Sequence, residues 1–273
     1  FGGFTLLRYL STYPESLSAG YFTGGLSAVG RSADDIYAAC YEQLRAKSLE
    51  YYKRFPGDRV RFAELAALAK KGEIATPSGD VVCPSRLRSL GHVLGASGGA
   101  EKLHYLLEYP HTSRAFRHDL AELLPYDGRN PLYAVIHESS YADGVVTDWS
   151  AARTLPDDFR EDPTLLTGEH VMPEWFDTDQ ELRPWKEVAD LIANHPWPKL
   201  YDPDVLRTAE VPCAAAVYHD DAYVPRKFSL ETAALLPQMH AWVTTEYEHN
   251  GSNASGGAVL DRLIKLAKGE IVR

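Results

Sequence analysis

Residues 211–250 read VPCAAAVYHDDAYVPRKFSLETAALLPQMHAWVTTEYEHN, and this stretch decides the fold. VPCAAAVYH is a short apolar run of β character, RKFSLETAALLP has helical spacing, and HAWVTTEYEH is a second β run. Beyond it, GGAVLDRLIKLAKG (256–269) completes an alternation of strand, helix, strand, helix. That order predicts an α/β layer with parallel strands, because parallel neighbours need a crossover that a helix can supply.

Outward from this stretch the pattern changes. From about Ser32 to Asn194 the chain is mostly helical, with helices expected over 34–55, 61–71, 86–94, 101–107, 113–123 and 182–192. Loops such as ATPSGDVVCPS and LPYDGRNP separate them, none long enough to be a flexible interdomain linker. At the start, FGGFTLLRYLSTYPESL (1–17) places Phe4, Leu6, Leu7, Leu10 and Tyr13 near helical spacing and breaks at Pro14. It reads as a buried helix opened by a glycine pair, followed by a short strand in AGYFTGGLSAVG that stops at Gly24-Gly25. The expected organisation is core (1–31), helical cap (32–198), and core again (199–273).

Composition narrows the function classes. The 273 residues are 45% hydrophobic and 24% charged, enough for a sizeable core. A formal net charge of -10, with no compact Lys/Arg run, opposes binding to nucleic acid or an anionic membrane surface. Cys40, Cys83 and Cys213 are an odd, widely spaced set without CxxC, which fits reduced thiols in a cytoplasm rather than a disulfide framework or cysteine zinc site. No apolar run approaches the roughly 20 residues needed to span a bilayer. The remaining histidines show no HExxH pattern, and ASGGAEK lacks the form of a phosphate loop, so neither metal nor cofactor is expected.

In an open α/β sheet, catalytic groups collect beyond the carboxyl ends of the strands. The first β run ends in YHDDAYVP, offering Asp220 and Asp221; the second leads to His249 at an Asn250-Gly251 turn. An acid followed by a histidine at successive strand ends matches the tail of the Ser, Asp, His order of α/β-hydrolases. Their nucleophile elbow has the form G-x-S-x-G, and Phe1-Gly2-Gly3 before a helix is similar to the residues after the serine in G-x-S-F-G-G. The chain has no initial Met, and the expectation is a C-terminal portion that starts immediately after the serine and is inactive alone.

The segments DIYAACYEQL, YYKRFPGD, RLRSLGHVLGASGG, PLYAVIHESSYADG, TDWSAAR, LLTGEHVMPEWF, WPKLYD, VYHDDAYVP and WVTTEYEHNG together resemble bacterial proline iminopeptidases (prolyl aminopeptidases). The resemblance runs in one order along nearly the whole chain. It implies a partial α/β-hydrolase core with a large helical cap, and serine-dependent release of N-terminal proline from small peptides. Within it, Asp221 rather than Asp220 matches the family's acid, standing four before Pro225 in D-x-x-V-P. His249 matches the catalytic histidine of E-H-N-G. Phe1 occupies the position after the nucleophile, whose N–H supplies one oxyanion-hole donor, with Gly2 and Gly3 as elbow glycines. The serine and the H-G-G-P-G type loop of the second donor are absent.

An enzyme that requires a free N-terminus needs fixed negative charge against the substrate ammonium. Glu138, in IHESSYADG, and Glu169, in LTGEHVMP, are the candidates, with Tyr141, Trp149 and Trp175 as walls for the pyrrolidine ring. Two other readings stay open: a hydrolase of a non-peptide ester or amide, and a non-catalytic helical binding or scaffold protein.

Overall fold

The computed structural model describes residues 1–126 and 130–272. Part of the LPYDGRNP loop, 127–129, therefore lies outside the described residues. The chain divides into two compact units: Phe1–Ser32, Ser140–Val145 and Pro196–Arg273 form one, and Ala33–Ser139 with Val146–His195 form the other.

The first unit is built on a parallel sheet of three strands in the order β1 (Gly20–Phe22), β2 (Cys213–Tyr218), β3 (Met239–Thr244). Gly20 pairs with Cys213 and Cys213 with Met239, so the three carboxyl ends lie at the same edge of the sheet. All six residues of β2 are buried, which is why CAAAVY reads as a continuous apolar run instead of an alternating one. Its side chains still alternate between faces. Cys213, Ala215 and Val217 pack with Leu7, Leu10, Phe22 and Leu206. Ala214, Ala216 and Tyr218 pack with Val259, Leu263 and Leu266 of the Ala258–Ala267 helix. The Arg226–Ala233 helix makes the crossover from β2 to β3.

The first helix, α1 (Gly2–Leu10), buries only Leu7 and Leu10; Phe1 and Tyr9 are 45% and 42% exposed. This corrects the expectation of a buried helix, since only one edge of α1 meets the β2 face. A Cβ on Gly2 would meet nothing within 4 Å, and one on Gly3 only ordinary contacts, the nearest Gly25 O at 3.6 Å.

The second unit is helical. Its first helices are α2 (Ala33–Arg54), α3 (Pro56–Lys70), α4 (Pro84–Arg88), α5 (Gly99–Glu108) and α6 (Arg114–Leu123). Their shared core includes Tyr52, Phe62, Leu87, Leu103, Phe116 and Leu166. The α3 helix starts five residues before the expected 61, because Pro56 suits the first helical turn, where its missing N–H is no loss. Ser113 caps α6, its hydroxyl accepting the Phe116 N–H at 3.1 Å. The helix expected over 86–94 is instead α4 followed by a 3₁₀ segment, Ser89–Gly95. Gly91 there lies so close to Leu166 and Thr167 that a Cβ would approach both to 2.6 Å. Likewise, 182–192 begins with the 3₁₀ turn Arg183–Trp185 before the Lys186–Ala193 helix. Among the described residues, no helix is long and apolar enough to cross a membrane.

Candidate active site

In the first unit, β2 and β3 deliver one loop each to the same sheet edge, and Asp221 and His249 meet there. Asp221 is 2% exposed. Its Oδ1 accepts the N–H groups of Tyr223 (2.8 Å) and Val224 (2.9 Å), a tight turn closed by the carboxylate on its own loop. Oδ2 lies 2.8 Å from His249 Nδ1. A carboxylate that accepts on every side puts the shared proton on Nδ1, so the neutral imidazole presents Nε2 as an acceptor. Tyr223 packs edge-on against the imidazole, centroids 5.0 Å apart. Asp220 is exposed and pairs with His219 Nδ1 at 2.8 Å, so of the two adjacent acids only Asp221 reaches His249.

Three glycines shape this corner. A Cβ on Gly24, at the end of β1, would stand 2.9 Å from His249 Cε1 and 3.2 Å from Nε2. The imidazole therefore lies directly over Gly24. Gly25 has φ +78°, and a Cβ there would meet Ser229 Oγ at 2.8 Å and Val224 Cγ1 at 2.9 Å. Gly251 abuts the Tyr218 hydroxyl, which donates to Thr23 O at 2.7 Å and so ties the ends of β1 and β2 together. The first turn of α1 touches the same strand end through Gly3 and Gly25. At that turn Phe1 caps the helix, its C=O accepting the Thr5 N–H at 3.0 Å.

The acidic candidates lie in the second unit. Glu138 is 7% exposed; Oε2 accepts the Ala151 N–H at 3.0 Å, while Oε1 is enclosed and has no hydrogen-bond partner among the described residues. Glu169 is half-buried, with Oε1 accepting the Tyr133 hydroxyl at 3.1 Å and Oε2 lying 3.3 Å from His137 Nε2. Burial, reinforced by Glu169, pushes the Tyr133 phenol up, which keeps it a donor. Next along the chain, His170 is pushed down to about 3, first by burial and then by His137, and stays neutral against the Tyr41 ring.

The aromatic candidates separate. Trp175 is fully buried, its indole N–H donating to Ser85 Oγ at 2.9 Å and its face covered by Arg86. It has no surface left for a substrate, so the expected pocket wall is a core residue. Trp149 is half-buried beside Phe176 and, with Asp148, holds the left-handed conformation that L residues adopt only at a cost of about 1–2 kcal/mol. Tyr141 belongs to the first unit, where its ring packs on Phe4 at 5.8 Å.

No family model matches the chain. A curated proline iminopeptidase of Aeromonas sobria is 39% identical over 280 aligned residues, covering 97% of this chain and 65% of the relative. Proline iminopeptidase aneH of Aspergillus aculeatus is 25% identical over 284 residues, 99% of this chain and 63% of the relative. The chain thus spans slightly less than two-thirds of the length of these curated relatives.

Proposed function

Because the chain belongs to the proline iminopeptidase family of α/β-hydrolases, we propose that it carries the acid and base of a cytoplasmic serine peptidase that releases N-terminal proline from small peptides. The observation that supports this most is the 2.8 Å contact between His249 Nδ1 and a buried Asp221 at the shared strand edge.

In this reading His249 Nε2 takes the proton of a serine hydroxyl as its oxygen attacks the prolyl carbonyl. Asp221 holds the tautomer and stabilises the imidazolium that forms. The Phe1 N–H, at the first turn of α1, donates to the oxyanion, where the positive end of the helix dipole also favours negative charge. The intermediate collapses as His249 returns the proton to the leaving amine, and water then hydrolyses the prolyl ester by the same route. In this reading the nucleophile is the serine of a G-x-S-x-G elbow, to whose last residues Phe1-Gly2-Gly3 is similar.

Glu138 and Glu169 bind the substrate ammonium. The enclosed Glu138 Oε1 supports this, because a buried carboxylate oxygen without a donor gains most from a charged N–H. Tyr141 and Trp149 remain as candidates to pack on the pyrrolidine ring. In the protein carrying the serine, Glu138→Gln should lower kcat/KM for proline naphthylamide by roughly 30- to 1,000-fold, the range expected when one partner of a desolvated charge pair is lost. Turnover of a small neutral ester should change little. Equal cleavage of proline naphthylamide and its N-acetyl form by the unmodified enzyme would favour a general ester or amide hydrolase instead.

A further inference from the structure

In the second unit several partly exposed arginines pair with carboxylates: Arg45 with Asp158 at 2.5 Å, Arg59 with Asp162 at 2.7 Å, Arg61 with Asp58 at 2.9 Å, and Arg153 with Asp34 at 2.7 Å. Arg88, on α4, is buried and has no ion-pair partner among the described residues. It is only 9% exposed. Its Nε donates to Leu165 O at 2.8 Å, and its guanidinium carbon stands 5.3 Å from the Phe159 ring centroid. Neither terminal nitrogen has a hydrogen-bond partner among the described residues, and Nη2 is enclosed. Burial pulls its pKa down from the ordinary value, but a guanidinium does not lose its proton in a protein. A buried cation without a counter-charge is costly, and the cost is relieved when an anion arrives.

Arg88 lines a cleft of about 190 Å³ that neither Glu138 nor Glu169 touches. Arg160 stands at the same cleft, its side chain 52% exposed and its nearest carboxylate, Asp157, 3.8 Å away and itself in solvent. Leu155 and Met172 supply apolar wall. The one acid in the lining, Glu174, is engaged by the Ser85 hydroxyl. The nearby Asp158 and Asp162 are already bound by Arg45 and Arg59.

We propose that this cleft binds a small organic carboxylate, with Arg88 as its anchor, Arg160 as a second cation at its mouth, and Leu155 and Met172 packing on an aliphatic body. The planar guanidinium fork suits a carboxylate, and the volume lies below the roughly 300–1,000 Å³ of drug-sized sites, so the occupant is a group of a few carbons. Two sources share this chemistry: the C-terminal carboxylate of a short peptide, and a free aliphatic amino acid. The site is independent of Asp221, His249 and the two glutamates, so it stands or falls apart from the peptidase reading.

Calorimetric titration of the full chain with N-acetyl-leucine and with N-acetyl-leucinamide tests it, since neither probe has an amine for Glu138 to bind. The acid should bind at least roughly tenfold more tightly than the amide. Arg88→Met should abolish that difference, and Arg160→Gln should reduce it severalfold. Tighter binding of N-acetylglycyl-leucine than of free leucine identifies a peptide terminus as the ligand; the reverse order identifies a free amino acid. Equal binding of acid and amide, no saturable binding of the acid, or acid selectivity that survives both substitutions would overturn the proposal. The acid–amide comparison needs no variant, so it decides even if Arg88→Met fails to fold.

Discussion

The molecule holds two pairs of the same kind, one in each unit: a buried aspartate against histidine Nδ1, at 2.8 Å for Asp221–His249 and 2.9 Å for Asp58–His104. Both aspartate side chains are 1% exposed. The difference lies in the rest of the carboxylate's coordination. Asp221 is held by two N–H groups of its own loop, so it makes no commitment to any other element except through the histidine. Asp58 accepts the Tyr51 hydroxyl at 2.5 Å and Arg61 Nη1 at 2.9 Å as well as His104. Those three donors come from α2, α3 and α5, so Asp58 joins three helices.

The histidines differ in the same sense. His104 lies flat on Phe55, centroids 4.2 Å apart and 13° between planes, and its Nε2 faces Glu108 at 3.7 Å. It is fixed on both sides within a helical surface. His249 projects from a loop over Gly24, at a strand edge where a reacting group can be delivered. An Asp–His contact is therefore no sign of chemistry in itself. The carboxylate must be satisfied locally, and the far nitrogen must be presented at a place a substrate can reach.

Substitutions can break or sharpen this contrast. The largest stability loss should come from Asp58→Ala, which leaves a tyrosine, an arginine and a histidine without their shared acceptor; breaking such a buried charged network costs about 3 kcal/mol. Chemical denaturation would measure it, and the activity per folded molecule should be unchanged. A cost near zero would mean that Asp58 joins nothing. Next, Gly24→Ala should cost about 1–3 kcal/mol from overpacking and, by displacing the imidazole, lower kcat roughly 10- to 100-fold. Wild-type kcat in Gly24→Ala would show that His249 does not depend on that slot. The smallest effect belongs to Asp220→Asn, which should stay within about 0.5 kcal/mol in stability because the side chain is exposed, with little change in kcat.

The sequence exposed the parts of this contrast that are local. The strand, helix, strand run of 211–250 and the loops after each strand are legible from apolar runs and turn residues, whereas Asp221 was separated from Asp220 only by the resemblance of D-x-x-V-P to the family's acid segment. Gly24 could not be found that way: it lies 225 residues before the ring it accommodates, and a glycine at a strand end has many local explanations. Asp58 reads as an ordinary acidic residue in the first turn of a helix, and only the packing of α2 and α5 around it reveals its burial. Trp175 fell the other way, since an aromatic residue in an irregular segment looks the same whether it lines a pocket or fills a core. Arg88 was invisible because a missing counter-charge is a property of three dimensions.

The contrast comes down to whether Asp221, and not its counterpart Asp58, orients a histidine that takes part in turnover. The test is kcat for proline naphthylamide in Asp221→Asn and Asp58→Asn, each in a protein that carries the nucleophilic serine and each normalised to the folded fraction. Asp221→Asn should lose about 10⁴-fold, as when the orienting acid of a serine-hydrolase triad is amidated, and Asp58→Asn should keep near wild-type turnover. A kcat within about tenfold of wild type in Asp221→Asn, or a comparable loss in Asp58→Asn, would contradict that contrast.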